Sequence, residues 1–135
     1  IDNFDIIQST HNYINFEDGI IRKGAISAHE GENVVIPMNM QFGHVVGTGK
    51  GNSDFNYSAP HGAGRKMSRS KAKKSIDLKD YESSMLGIYT TCVNTSTLDE
   101  APQAYKDPEV VIEYMRDTVE VNDIIPPIYN FKASE

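Results

Sequence analysis

The alternation of apolar and polar positions predicts short β-strands in the first half of the chain. Runs rich in Val and Ile, bounded by turn-forming residues, occur at residues 20–28, 32–37 and 44–48. The stretch from 53 to 64 is instead rich in Asn, Ser, Pro and Gly, a composition typical of a loop. The first half is therefore expected to consist of strands and loops.

Two short helices are predicted in the middle of the chain. Ser68 is placed to cap a helix that runs to Lys74. Asp77 is placed to cap a second helix, which Gly87 ends. These signals predict two consecutive helices between Ser68 and Gly87.

A third helix is predicted to begin at Asp107-Pro108, because Asp is a favoured N-cap and Pro fits the first helical turn. A spacing of three or four residues then continues from Val111 to Asn122, which extends the predicted helix over that range. Residues 94–107 are expected to be loop, and residues 128–132 an extended segment. Strands that precede helices predict an α+β fold, with mixed or antiparallel strands and peripheral helices.

Length and composition narrow the class of protein. With 135 residues, the chain is one domain or a fragment of one, spanning residues 1–135. A single cysteine, Cys92, excludes a disulfide-stapled scaffold and a four-cysteine zinc module, and is interpreted as a small buried hydrophobe. The sequence has no signal peptide and no apolar run of about 20 residues, so we expect a soluble, cytoplasmic protein without a membrane partner. The initial Ile1 predicts that the chain belongs to a longer protein.

The charged residues are unevenly distributed along the chain. The net charge of −6 argues against nucleic-acid binding by the molecule as a whole. Residues 65–74, however, carry six of the 13 basic residues and no acidic one. Such a concentration attracts phosphate groups to one place. The alternative is a solvated helical face that offsets an acidic body, and charge alone leaves both open.

Gly47, Gly49 and Gly51 form a glycine-spaced segment that is expected to be loop. They lack the G-x-G-x-x-G spacing and the following helix of a dinucleotide-binding loop. No Ser or Thr follows Lys50, so the segment is not a phosphate-binding P-loop either. This segment therefore predicts no nucleotide site.

The stretch that begins at His61 combines residue types suited to phosphate chemistry. His61 precedes Gly62-Ala63-Gly64, whose small residues let backbone N–H groups converge on an anion. Arg65 and Arg69 follow, and a guanidinium group binds two phosphate oxygens at once. A neutral imidazole attacks phosphorus and leaves again readily, so His61 is a candidate nucleophile. The alternative is a loop histidine that only hydrogen-bonds the backbone.

Five segments stand out when the chain is read for longer motifs. They are HNY at 11–13, RKGA at 22–25, SAPHGAGRKMSRSKAKK at 58–74, DEAPQAYKD at 99–107 and YNFKA at 129–133. In this order they resemble the RtcB family of GTP-dependent RNA ligases, and the H-G-A-G-R-x-M-S-R string is long and specific. Members of that family join RNA 3′-phosphate or 2′,3′-cyclic phosphate ends to 5′-hydroxyl ends in tRNA splicing and RNA repair.

The resemblance implies a role for individual residues. His61 would form a covalent histidine–GMP intermediate with GTP, and His11 would bind one of two Mn²⁺ ions. Arg65 and Arg69 would hold RNA phosphate. The residues implied at the guanine nucleotide are Asn12, Asn39, His61, Gly62, Ala63, Gly64, Tyr105 and Lys132.

Two departures from the family pattern limit what the resemblance implies. The chain has Pro37-Met38-Asn39-Met40 where the family places Pro-Gly-Ser-Met, so Asn39 is the implied nucleotide contact there. The family's other metal ligands belong to an N-terminal half whose motifs this sequence lacks, and Cys92 stands in a different context. The chain would then be the C-terminal portion of the catalytic fold, inactive in ligation by itself. RNA, GTP, the N-terminal half and an activating protein are the expected partners.

Two other functions stay open at this point. The first is a non-catalytic module that binds guanine nucleotide or RNA ends without joining them. The second is a phosphohistidine carrier, which leaves Tyr105 and Lys132 unexplained.

Overall fold

Residues 6–132 are described by a computed structural model, and within this range the protein has nine strands and three α-helices. The strands are β1 (Tyr13–Ile14), β2 (Ile21–Arg22), β3 (Ala25–Ser27), β4 (Asn33–Pro37), β5 (His44–Gly49), β6 (Ser58–Pro60), β7 (Tyr89–Thr90), β8 (Val119–Ile125) and β9 (Tyr129–Asn130). The helices are α1 (Arg69–Ser75), α2 (Leu78–Ser84) and α3 (Pro108–Met115), and 3₁₀ segments cover Ser53–Phe55, Thr95–Glu100 and Pro102–Ala104. This mixture of mostly antiparallel strands and short helices confirms the predicted α+β fold.

The main sheet has the antiparallel order β4-β5-β8. Alternate residues of β4 and β5 point to one face, where Val34, Ile36 and Val45 are buried. The helix α3 packs Val111 and Met115 into the same core. This core therefore holds the sheet, the β3–β6 pair and α3 together.

The predicted helix from Asp107 to Asn122 is wrong in its second half. The helix α3 begins as expected, with the Asp107 side chain accepting from the Glu109 N–H, but it ends at Met115. Residues 119–125 instead form β8, because pairing with β5 supplies the backbone hydrogen bonds and buries Val119. The apolar spacing is compatible with both structures, and the long-range pairing decides between them.

The predicted glycine loop is also wrong at its start, because β5 continues through Gly47 to Gly49. A Cβ atom on Gly47 would lie 2.5 Å from the carbonyl oxygen of Glu120. A Cβ atom on Gly49 would lie 2.4 Å from the carbonyl oxygen of His29. These two glycines therefore allow neighbouring backbones to approach β5 closely.

Three further boundaries differ from the prediction. The segment 20–28 divides into β2 and β3 at Gly24, which has the left-handed φ of 68°. The stretch 53–64 is not all loop, because it contains β6, which pairs with β3. Residues 94–107 contain two 3₁₀ segments, the first of them capped by the Asn94 side chain.

The N-caps predicted for the first two helices are confirmed, but α2 ends at Ser84 and not at the predicted Gly87. The Ser68 side chain accepts from the Lys71 N–H at 3.3 Å, and the Asp77 side chain accepts from the Lys79 N–H at 2.7 Å. A second core lies beneath α2 and consists of Met40, Tyr81, Met85, Cys92, Leu98 and Ala101. Cys92 is thus buried, as expected.

The predicted extended segment at 128–132 contains β9, which pairs in parallel with β7. The side-chain amide of Asn130 donates to the Met40 carbonyl at 2.8 Å and holds this segment against the turn that follows β4. No helix in the described part of the chain is long and apolar enough to cross a membrane.

Candidate active site

Strand pairing fixes the position of His61. The strands β6 and β3 pair with Pro60 opposite Ala25, so His61 leaves β6 beside Gly24. The imidazole Nδ1 lies 2.7 Å from the Gly24 carbonyl oxygen. Because a carbonyl oxygen only accepts hydrogen bonds, Nδ1 carries a proton here, and in the neutral form of the ring the lone pair is then on Nε2. Nε2 is therefore the nucleophilic nitrogen of this ring.

Asn12 supports the backbone group that orients His61. Its side-chain oxygen accepts a hydrogen bond from the Gly24 N–H at 2.7 Å. Asn12 has a left-handed φ of 59°, a conformation that Asn tolerates better than most residues. In the structure this side-chain oxygen therefore holds the loop behind His61.

His11 lies beside the same imidazole. The rings of His11 and His61 stack, with centroids 5.0 Å apart and an angle of 14° between their planes. Within residues 6–132, no group of three or more His, Cys, Asp and Glu side chains is placed to hold a metal ion. The described residues therefore do not form a metal site, and His11 is a single candidate ligand next to His61.

The loop from His61 to Gly64 packs against the end of β4. The Ala63 N–H donates to the Pro37 carbonyl at 3.1 Å, and the Ala63 methyl group is buried. A Cβ atom on Gly62 would lie 2.9 Å from the same carbonyl oxygen, so this close contact requires glycine. Within the described chain the N–H groups of Gly62 and Gly64 meet no protein acceptor. Both groups are thus available to an anion beside His61.

A cavity of about 540 Å³ opens beside this loop. Its walls are the turn from Pro37 to Met40, the loop from His61 to Arg65, and the residues Gly43, His44, Glu100, Tyr105, Asn130 and Lys132. The volume lies within the range of roughly 300–1,000 Å³ that is typical of small-molecule sites. His44, at the start of β5, gives the cavity a second imidazole.

Asn39 shapes the turn on one side of this cavity. Its side-chain oxygen accepts from the N–H groups of Gln41 at 2.9 Å and Phe42 at 2.8 Å. This is the arrangement of an Asx turn, in which the side chain stabilises the backbone that follows it. Its amide nitrogen is the group left to donate to a ligand.

Tyr105 and Lys132 meet at the carboxylate of Glu100. The Tyr105 hydroxyl donates to Glu100 Oε2 at 2.8 Å, and Lys132 Nζ lies 3.5 Å from the same oxygen. The guanidinium carbon of Arg65 lies 4.9 Å from the centroid of the Tyr105 ring. Burial, followed by the hydrogen bond to Glu100, raises the pKa of Tyr105 to about 12. The hydroxyl is therefore protonated at neutral pH.

Arg65 and Arg69 belong to one ionic cluster with two carboxylates. Arg65 donates to the Asp99 carbonyl oxygen at 2.6 Å and to Glu100 Oε1 at 2.7 Å. Arg69 and Lys73 approach the Asp99 carboxylate at 3.1 and 3.4 Å. With Lys132, four cationic side chains surround two carboxylates among residues 6–132, so these six described side chains together carry a net positive charge.

The structure brings most of the predicted site residues around the loop that begins at His61. Asn39, Tyr105, Lys132 and Arg65 line the cavity. Arg69 lies in a smaller adjoining cavity of about 200 Å³, which shares Glu100 and Lys132 with the first. His11 and Asn12 contact His61 and Gly24 and are not among the residues that line the main cavity.

Sequence reasoning missed four residues of this site. Asp99 and Glu100 stand in the segment DEAPQAYKD, and the signal that identifies them is a charge opposite to that of the basic run. Gly24 acts through its backbone carbonyl, which no side-chain pattern reveals. His44 stands at the start of a correctly predicted strand, and only the folded chain shows that it reaches the cavity.

The chain matches proteins of one family. Residues 3–133 match the family described as tRNA-splicing ligase RtcB. RNA-splicing ligase RtcB of Escherichia coli (strain K12) is 36% identical over an alignment of 121 residues that covers 85% of this chain and 29% of that protein. tRNA-splicing ligase RtcB of Aeropyrum pernix is 40% identical over an alignment of 88 residues that covers 62% of this chain and 18% of that protein. The chain thus spans less than a third of the length of these relatives.

The described site combines three features: an oriented imidazole, backbone N–H groups without a protein acceptor, and a cationic cavity wall. This combination is suited to bind a phosphate-containing ligand at a histidine. The match over nearly the whole chain makes the assignment specific. The chain belongs to the RtcB family, as its motifs predict.

Proposed function

We propose that this chain carries the nucleotide-transfer site of an RNA ligase that is specific for 3′-phosphate or 2′,3′-cyclic phosphate and 5′-hydroxyl ends. The observation that supports this most directly is the contact between His61 Nδ1 and the Gly24 carbonyl, which selects the neutral tautomer whose lone pair is on Nε2. His61 also lines the main cavity. Membership of the RtcB family supports the same reaction.

The proposed reaction begins with attack of His61 Nε2 on the α-phosphorus of GTP. A nitrogen–phosphorus bond forms, the bond from that phosphorus to the bridging oxygen breaks, and pyrophosphate leaves. The GMP group then passes to the RNA 3′-phosphate and regenerates the imidazole. Finally the 5′-hydroxyl oxygen attacks that phosphate, the hydroxyl proton passes to solvent, GMP leaves, and the strand is sealed. A 2′,3′-cyclic phosphate end enters this sequence after water has opened it to the 3′-phosphate.

In this proposal, different groups around the cavity bind different parts of the nucleotide. The N–H groups of Gly62 and Gly64 donate to phosphate oxygens, and Ala63 anchors their loop to β4. Tyr105, Lys132 and the Asn39 amide are the nucleotide contacts. Asn12 acts behind His61 through Gly24, in addition to its implied place at the nucleotide.

Arg65 and Arg69 are the proposed contacts for the RNA phosphate next to the reacting end. Both arginines touch carboxylates, but among the described side chains of their cluster four cations outnumber two carboxylates, which favours an anion. His11 is proposed as one ligand of a Mn²⁺ ion, which would neutralise phosphate charge. The described residues do not complete such a site, so no step of the proposal depends on the metal.

The wider proposal concerns the partners of the whole protein. RNA ends, including tRNA halves, and GTP are the proposed substrates, and a cytoplasmic location fits both. The polypeptide that corresponds to the N-terminal half of the relatives and an activating protein are the proposed protein partners.

Intact mass spectrometry of the natural full-length protein after incubation with GTP and Mn²⁺ tests the proposal. We expect one added GMP, which is lost in His61→Ala and retained in His44→Ala, the matched variant of the other histidine in the cavity. An adduct that survives in His61→Ala would overturn the nucleophile assignment. RNA or nucleotide binding without any adduct would favour the non-catalytic binding module.

A further inference from the structure

The helix α1 divides the basic run into two faces. With 3.6 residues per turn, Arg69, Ala72 and Lys73 fall on one side of the helix. Ala72 is fully buried against the 3₁₀ segment Thr95–Glu100, and Lys73 reaches the Asp99 carboxylate at 3.4 Å. This inner face thus joins the ionic cluster beside the cavity.

Lys71 and Lys74 lie on the opposite face of the same helix. They are three residues apart and so neighbours on the helix surface, and both are exposed. Lys66, also exposed, precedes the helix in the same acid-free stretch. Within residues 6–132, none of these three ammonium groups approaches a carboxylate within ion-pair distance. The outer face therefore carries positive charge that no carboxylate of the described residues neutralises by an ion pair.

We propose that Lys71 and Lys74 bind the phosphate backbone of the RNA strand beyond its reacting end. This inference rests on the proposed function, and it adds a contact surface that lies outside the cavity. The chain as a whole has a net charge of −6, so an uncompensated basic face is an exception on its surface and is complementary to a polyanion. The inner face of the same helix lines the smaller cavity through Arg69 and Lys73, so a strand bound at Lys71 and Lys74 reaches the site by passing across α1.

The chemistry of this face indicates how RNA is bound. Lysine ammonium groups act as mobile point charges that follow a phosphate backbone without fixing one geometry. Only Ala72 and Lys73 lie between Lys71 and Lys74 in the sequence, so no aromatic ring stands between them on which a base could stack. We therefore expect contacts that are independent of RNA sequence and strongly dependent on salt.

The salt dependence of RNA binding tests this surface. The double variant Lys71→Gln/Lys74→Gln removes two charges, and Gln has nearly the helix propensity of Lys. The probe is a fluorescently labelled single-stranded RNA with a 3′-phosphate, titrated into the natural full-length protein at several salt concentrations. Each phosphate contact on a single strand contributes about 0.7 to the slope of log K against log salt, so we expect the slope to fall by about 1.4.

A second double variant separates a local contact from net charge. Lys50→Gln/Arg116→Gln also removes two positive charges, but Lys50 follows β5 and Arg116 follows α3. We expect this variant to keep the wild-type slope. An unchanged slope in the α1 variant, an equal fall in both variants, or wild-type protein that does not bind the probe would each refute the proposal.

The GMP adduct on His61 provides an independent readout. Because Lys71 and Lys74 lie outside the cavity, we expect Lys71→Gln/Lys74→Gln to form the adduct as fully as wild type. Absence of the adduct from wild type would refute the proposed ligase reaction while leaving the salt-slope result to decide the RNA surface. Loss of the adduct in the α1 variant alone would refute the separation of the two surfaces.

Discussion

Glu100 is the acceptor on which the wall of the cavity depends, and Glu100→Gln tests that dependence. Its carboxylate accepts from Arg65 at 2.7 Å and from Tyr105 at 2.8 Å, and Lys132 lies 3.5 Å away. Glutamine keeps one oxygen acceptor and replaces the other with an NH₂ donor. At least one hydrogen bond from a charged or buried donor is therefore lost, and the donor is left without its acceptor.

The expected loss follows from the burial of this carboxylate. The Glu100 side chain is only 14% exposed, and a hydrogen bond to a charged group contributes ~1.5–3 kcal/mol. Because some solvent reaches the pair, we expect Glu100→Gln to lower the free energy of unfolding by about 2 kcal/mol. Equilibrium urea unfolding measures this as a lower midpoint with an unchanged slope.

Glu113→Gln is the matched control for this measurement. Glu113 also pairs with an arginine, Arg116, but its side chain is 60% exposed. Exposed pairs contribute ~0–1 kcal/mol, so we expect a much smaller effect. If the two variants differ by less than about 0.5 kcal/mol, Glu100 does not hold the wall as described. Glu100→Gln should also require more GTP for half-maximal GMP attachment, because Tyr105 and Lys132 lose the carboxylate that both of them contact.

Two other substitutions test features further from the cavity. Gly47→Ala places a Cβ atom 2.5 Å from the Glu120 carbonyl oxygen. We expect the free energy of unfolding, measured by thermal unfolding, to fall by ~1–3 kcal/mol. Unchanged stability would show that β8 is not so close to β5. The Arg22 guanidinium beside Asp18 holds the pKa of that carboxyl well below its usual range. The stabilisation that the ionised Asp18 provides is therefore present above roughly pH 4 and is lost as the pH falls further. Asp18→Asn should therefore flatten the dependence of stability on pH below roughly pH 4, and a profile that matches wild type would contradict the assignment.

Local signals in the sequence were sufficient where neighbouring residues determine the structure. Ser68 and Asp77 identified the starts of α1 and α2, because a cap needs only the residues beside it. Local signals were insufficient at residues 119–125, where the same apolar spacing suits both a helix and a strand. There the decisive interaction is with β5, about 75 residues earlier in the chain.

The same distinction applies to the candidate site. His61 and its glycine loop form a continuous motif, so the sequence indicated them directly. The Arg65 contacts with Asp99 and Glu100 cross 34 and 35 residues, and no local pattern specifies such a pairing. The sequence therefore predicted the cations of the cluster but not the carboxylates that position them.

The proton on the His61 ring is placed by a main-chain oxygen, that of Gly24. A scan of side-chain substitutions cannot delete this atom, and such a scan will instead report Asn12 and Gly24, which only hold it in place. Replacing Ala25 with lactic acid changes the amide between residues 24 and 25 to an ester, whose carbonyl is a weaker acceptor. Reactivity at this histidine is thus accessible to backbone chemistry in a way that conventional mutagenesis does not reach.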